Sequence, residues 1–233
     1  MKFQIIVADP SWSFGDKLTM SDVKRGAEAN YPTLTISEIK SLPVKDISDP
    51  DGALLALWVP SSLLQEGLDT MKAWGFNQKQ TYVWVKTKKQ LFLDFVEWIK
   101  KSILKHPQVV YDQFAYERAV NAIIESIGNI DLSDELSFGM GRLFRNTHEI
   151  CLIGTNNNKI YTKLLNKSQR SVCFDENLKH SSKPEHLQDS LEIMFPNTQR
   201  LELFARRPRK DWVCLGNEVC NGEDIRDSLK KLL

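Results

Sequence analysis

Short apolar runs that stop at breakers recur along the chain. Ile5-Ile6-Val7-Ala8 ends at Asp9-Pro10, residues 53–59 end at Pro60, and residues 149–154 give way to Asn156-Asn157-Asn158. Runs of this length without polar alternation predict strands covered on both faces. Further strands are predicted at residues 81–85, 171–174, 199–204 and 212–215. Helical spacing separates them. Ile36, Ile39 and Leu42 open a short amphipathic helix behind a Thr35/Glu38 capping box, and Pro43 ends it. Leu63, Leu64, Leu68, Met71 and Trp74 follow the helical period after Pro60-Ser61, with Gly75 closing the helix. A third helix is predicted over residues 185–195, ended by Pro196-Asn197. Strand, helix and strand over residues 53–85 predict a right-handed crossover in a parallel sheet.

Residues 88–138 break this rhythm. Phe92, Phe95, Val96, Ile99 and Ile103 make one apolar stripe, and Phe114, Ala115, Ala119, Ala122 and Ile123 make another. They predict a helical hairpin over residues 91–104 and 111–127, split near Pro107. The expected architecture is α/β: a mostly parallel sheet with helices on both faces, one domain over residues 1–233, and a helical insertion at about 88–138.

With 233 residues and 42% hydrophobic content, the chain is long enough for one sizeable core. Lys and Arg number 31 against 30 Asp and Glu, so the formal charge of +1 gives no global basic field. Nucleic-acid binding must therefore rest on local patches. Cys151, Cys173, Cys214 and Cys220 have no paired zinc or redox spacing, and no ligand is spaced to join His148, so no metal is expected. Neither a signal sequence nor an apolar run of membrane length is present, and a cytoplasmic location is the expectation. The sequence also lacks a glycine-rich dinucleotide fingerprint, a phosphate-binding loop and a nucleophile elbow.

The polar residues 13–34 are expected to form a substrate loop beside the first strand end, since long irregular loops in compact domains usually serve binding. Other strand ends carry Gly141-Arg142 to His148, Arg206-Arg207-Pro208-Arg209-Lys210, and Gly216-Asn217-Glu218. Taken alone, Asp9-Pro10 reads as an Asx-Pro turn with Trp12 in the core, and Lys183 as a surface lysine at a helix start.

Together, the ordered motifs alter that reading. They are Ala8-Asp9-Pro10-Ser11-Trp12, Tyr31-Pro32-Thr33, Leu57-Trp58-Val59, the stretch from Met71 to Phe76, and Val83-Trp84-Val85-Lys86. Gly139-Met140-Gly141-Arg142, Arg145-Asn146-Thr147-His148-Glu149, Ser182-Lys183-Pro184, Leu201-Glu202-Leu203-Phe204-Ala205-Arg206 and residues 212–218 follow. In order and spacing the chain resembles the MT-A70-like adenine-N6 methyltransferases of the β class, nearly throughout apart from residues 88–138. The resemblance implies a Rossmann-like sheet in permuted order and S-adenosylmethionine as methyl donor. It implies a cofactor site formed by Asp9, Lys183, Glu202, Phe204, Arg206, Asn217 and Glu218. Where the family usually has a second proline, this chain has Ser11.

Asp9, Pro10 and Trp12 are the expected catalytic residues. The adenine N6 lone pair is delocalised into the ring, so attack on a methyl group requires stabilisation of the charge that develops. Asp9 and the Pro10 carbonyl are suited to accept the two N6 hydrogens, with Trp12 stacked on the purine. Ser11, Ser13, Phe14, Tyr31, Arg142, Arg145, His148, Arg207 and Arg209 are the expected substrate contacts. The target base must be flipped out or single-stranded. DNA is the first expected substrate, RNA the alternative, and a non-catalytic nucleic-acid-binding subunit a third reading. The insertion is expected to serve target recognition or homodimer formation.

Overall fold

A computed structural model describes residues 1–13, 34–88, 101, 114, 117–118, 120–121, 133, 136–139, 143–177, 182–219 and 223–233. Its sheet has seven strands: β1 (Ile5–Ala8), β2 (Leu54–Val59), β3 (Asn77–Thr87), β4 (His148–Thr155), β5 (Val172–Glu176), β6 (Arg200–Leu203) and β7 (Val213–Leu215), in the order β5-β3-β4-β2-β1-β6-β7. The β1 strand pairs in parallel with β2 and β6, and β6 with β7, whereas β2 and β4 are antiparallel. This is a mostly parallel mixed sheet of the Rossmann-like kind. Of the helices, α1 is Ile36–Ser41, α2 Val44–Ile47, α3 Leu64–Ala73, α4 His186–Met194 and α5 Ile225–Lys230.

Both faces of the central strands are covered, as their unbroken apolar runs predict. Ile6, Ala8, Leu55, Leu57, Leu201 and Leu203 join one core cluster with Ile39 of α1, Met71 of α3 and Leu229 of α5. The alternate residues Ile5, Val7, Leu54, Ala56 and Trp58 join a second cluster with Leu187 and Leu191 of α4. Every β1 side chain is buried, and each buried Ile or Val stabilises the fold by roughly 1.5–3 kcal/mol relative to exposure.

The capping box forms as predicted: Glu38 N–H donates to Thr35 Oγ1 at 3.2 Å, and Thr35 N–H donates to Glu38 Oε2 at 2.8 Å. Gly75, with φ +84°, follows α3 at the predicted stop. The expected crossover does not join sheet neighbours, because β4 lies between β2 and β3. The β3 strand also begins earlier than predicted, with the polar, exposed Asn77-Gln78-Lys79-Gln80. A 3₁₀ turn over Ser61–Leu63 replaces the first turn of the predicted α3.

Two compact units are present. One comprises residues 1–84, 149–173 and 180–233, and the other residues 85–148 and 174–179. In the second, Gly139 and Asn146 exchange backbone hydrogen bonds at 2.9 and 3.3 Å, and the Arg145 guanidinium lies 5.8 Å from the Phe138 ring centre. Within the predicted hairpin, the described residues Lys101, Phe114, Glu117, Arg118, Val120 and Asn121 are helical; the remainder of that expectation lies outside the described residues. Among the described residues, no helix is long and apolar enough to cross a membrane.

Candidate active site

The twofold side-chain period of β1 places the first functional group. Ile5 and Val7 face the α4 side of the sheet, and Asp9 continues their row one step beyond the strand. Val7 is in register with Glu202 on β6, so both carboxylates lie on that side near the carboxyl ends of parallel strands. Ligands of open α/β sheets bind at such ends. Here a cavity lies within the first unit, lined by Asp9, Trp58, Lys183, Gln188, Glu202 and Phe204. Val7, Ser182, Glu185, Arg206, Arg207, Arg209 and Glu218 complete the lining.

Lys183, just before α4, is its electrostatic centre. Its ammonium donates to Asp9 Oδ1 at 3.0 Å and Oδ2 at 2.8 Å, pairs with Glu149 Oε2 at 3.2 Å, and stands 5.6 Å from the Trp58 ring centre. Its side chain is 13% exposed. Burial works against its charge, but the attraction of Asp9 and Glu149 and their hydrogen bonds outweigh it, so its pKa is raised above the ordinary lysine value. Two carboxylates, Asp9 and Glu149, thus face this one ammonium. Burial likewise raises the pKa of Glu202, opposed by the neighbouring Gln188 amide. Beneath them, burial and then Asp9 push the enclosed Cys151 thiol well above its usual range, which keeps it protonated and inert.

The Asp9-Pro10-Ser11-Trp12 turn is pinned on both sides. Trp12 backbone N–H donates to the Pro10 carbonyl at 2.9 Å, and its indole Nε1 donates to the Trp58 carbonyl at 3.0 Å. Trp12 is 3% exposed and packs in the core with Leu34. It is therefore placed to hold the turn, and the expected open stacking face is replaced by a packed one. Ser11 and Ser13 are half-buried.

Arg209 departs from its expected role. Its guanidinium, 14% exposed, pairs with Glu185 at 2.7 Å, Asp189 at 2.5 Å and Glu192 at 2.8 Å; burial works against its charge, but Glu192 and Asp189 outweigh it and raise its pKa. A charge so compensated fastens the loop after β6 to α4 rather than presenting itself to phosphate. Arg207 pairs with Glu185 at 2.7 Å, and Arg206 with Glu218 at 3.7 Å.

Of the expected cofactor residues, Asp9, Lys183, Glu202, Phe204, Arg206 and Glu218 line one cavity; exposed Asn217 does not. Phe204 holds φ +63°, a left-handed conformation that non-glycine residues rarely adopt and that often marks functional sites. Gly216 lets the strand ends approach closely: a Cβ there would stand 2.3 Å from the Ala205 oxygen. Arg145 and His148 are exposed in the second unit, while Phe14, Tyr31 and Arg142 lie outside the described residues. Sequence reasoning missed the pairing of Glu149 with Lys183. It also missed Glu185 and Gln188, which carry no motif; Trp58 and Ser182 could have been found, since both sit inside matched motifs.

The MT-A70 family model matches residues 3–108 and 98–218. An N(6)-adenosine-methyltransferase MT-A70-like protein of Drosophila melanogaster is 25% identical over 220 residues, covering 94% of this chain and 27% of the relative. The N(6)-adenosine-methyltransferase catalytic subunit METTL3 of Homo sapiens is 24% identical over 221 residues, with 94% and 28% covered. The Type II methyltransferase M.MunI of Mycoplasma sp is 24% identical over 233 residues, with 94% and 78% covered. The chain thus spans about a quarter of the length of the two adenosine methyltransferases.

Proposed function

This chain belongs to the MT-A70 family, whose methyl donor is S-adenosylmethionine, and from that premise we propose that it methylates N6 of adenine in DNA. The observation that carries the reading is Asp9, held by both oxygens on Lys183 at the mouth of β1, with the Pro10 carbonyl next to it.

The cavity fits the donor in its chemistry. S-adenosylmethionine combines a sulfonium and an ammonium with a carboxylate and a nucleoside. The walls supply Asp9 and Glu202 for the positive groups, Lys183 and Arg206 for the negative one, and Phe204 for an aromatic face. When bound, the donor supplies a methyl group activated by its positive sulfur. The chain's own residues orient the acceptor. Each Asp9 oxygen retains a lone pair after receiving Lys183, so the carboxylate can accept one N6 hydrogen, and the Pro10 carbonyl, already carrying the Trp12 N–H, has a second lone pair for the other. The Asp9 carboxylate next to the acceptor stabilises the positive charge that develops on N6 during transfer.

DNA is favoured by the length match to the Type II methyltransferase, of which 78% is covered. RNA is the second reading, favoured by the N(6)-adenosine-methyltransferases that align over 94% of this chain. Mass spectrometry of nucleosides after incubation with S-adenosylmethionine and matched DNA and RNA oligonucleotides tests both. Wild-type protein is expected to yield N6-methyladenine in DNA, and Asp9→Asn to lose it while still unfolding cooperatively, with a melting temperature lowered by a few degrees at most. Background methylation of both nucleic acids would refute the reading, and a product confined to RNA would replace its substrate.

A further inference from the structure

An apolar pair stands in solvent on the second unit. Leu143 is 93% exposed and Phe144 86%, and Phe138 is 59% exposed. Side chains of this size are normally drawn into a core, so a group of them left outside marks a contact surface. Their backbone is held. Gly139 and Asn146 exchange hydrogen bonds at 2.9 and 3.3 Å, which bounds the segment carrying the pair. Lys86 of β3 then ties both flanks: its N–H donates to the Thr147 carbonyl at 2.8 Å, and its carbonyl accepts from Ser137 N–H at 2.9 Å. The pair is thus presented from a bonded base.

Charge selects the partner. The described residues 136–139 and 143–148 include Arg145 and His148 and no carboxylate, and the Arg145 guanidinium lies 5.8 Å from the Phe138 ring centre. Arginine interleaved with aromatic side chains suits a polyanion that carries stacked bases. Position in the chain narrows the role, because Phe144 precedes Glu149, the partner of Lys183, by only five residues. An adenine in a duplex reaches Asp9 only when extruded, and extrusion leaves a gap in the stack that an apolar side chain can fill. We infer that Phe144, with Leu143 beside it, is the wedge that enters the DNA stack where the target adenine has been turned out. This deepens the proposed function and rests on it. The aromatic ring replaces the lost stacking partner and keeps the base from returning. A single strand needs no such replacement, so the wedge matters for duplex DNA alone.

Phe144→Ser and Phe144→Trp, assayed on native linear plasmid DNA and on the same DNA heat-denatured, test this role. The rate of N6-methyladenine formation is read by mass spectrometry, with melting temperature and sedimentation alongside. Phe144→Ser is expected to be about tenfold slower than wild type on native DNA yet within about twofold on denatured DNA, at an unchanged melting temperature, and Phe144→Trp to restore the native rate. Equal rates of wild type and Phe144→Ser on both forms overturn the inference, and so does an equal loss on both. A wild-type dimer that Phe144→Ser dissociates also overturns it, since the apolar pair then belongs to an interface between copies of this chain. Wild-type protein active on denatured DNA alone overturns this inference and leaves the proposed function standing; protein active on neither form overturns both.

Discussion

Replacing Lys183 by methionine tests the electrostatic centre of the site directly. The substitution preserves most of the aliphatic volume but strips Asp9 of a contact to each oxygen and Glu149 of its ion pair. Removing one partner of a fully buried pair costs about 3–5 kcal/mol. Asp9 and Glu149 retain 23% and 29% side-chain exposure, so water partly re-solvates them and about 2 kcal/mol is the expected loss. For a chain of this length that corresponds to about 4–8 °C in melting temperature. The pH dependence has a defined sign. Because the folded pKa of Lys183 is raised, its contribution is fully present below the unfolded lysine value of about 10.5 and is lost as pH rises through the folded value. Melting curves from roughly pH 7 to 12 should therefore show the full difference near neutrality, narrowing only at the alkaline end. A gap near zero at neutrality, or one that does not narrow at the alkaline end, refutes the assignment of Lys183 as the charge that holds the two carboxylates together.

Other substitutions reach the walls of the same cavity. Arg209→Met leaves Asp189 and Glu192 without their shared cation and Glu185 with Arg207 alone, and since these carboxylates are 33–54% exposed it should lower unfolding stability by about 1–2 kcal/mol in urea; Arg209→Lys should recover little, since a point charge does not span three carboxylates. Wild-type stability in Arg209→Met would return this arginine to the role of a surface phosphate contact. Gly216→Ala forces a Cβ onto the Ala205 backbone and should cost about 1–3 kcal/mol in thermal denaturation, so an unshifted melting temperature contradicts the close approach of the strand ends.

Local pattern revealed what depends on local pattern. The unbroken apolar runs of β1 and β2 foretold a sheet covered on both faces, and Thr35 with Glu38 foretold the start of α1. Strand order was less legible, because nothing in a run such as residues 149–154 says that it will lie antiparallel between β2 and β3. The polar start of β3 was invisible for the opposite reason: Asn77 to Gln80 are exposed, so they have no apolar period to display. At the site, motif order brought Asp9 and Lys183 into one expectation although 174 residues separate them. Partner choice escaped it. The basic run at residues 206–210 looked like an unpaired cationic edge, since its carboxylates come from Glu185 at the start of α4, from α4 itself and from Glu218 after β7, and a charge count along the chain does not see across space. Gln188 escaped because a single amide on an amphipathic helix has the composition of an ordinary helix surface.

The turn that carries Asp9 and Pro10 has a thermal consequence. A second proline would restrain residue 11 by covalent ring closure, which is present at every temperature. With Ser11, the restraints on the turn include the bond from Trp12 N–H to the Pro10 carbonyl and the tether from the Trp12 indole to the Trp58 carbonyl on β2. Both are reversible, and both weaken as heating lengthens hydrogen bonds and loosens packing. The aim of the Pro10 carbonyl is thus coupled to the firmness of β2, and warming blurs that aim while the sheet itself is still folded.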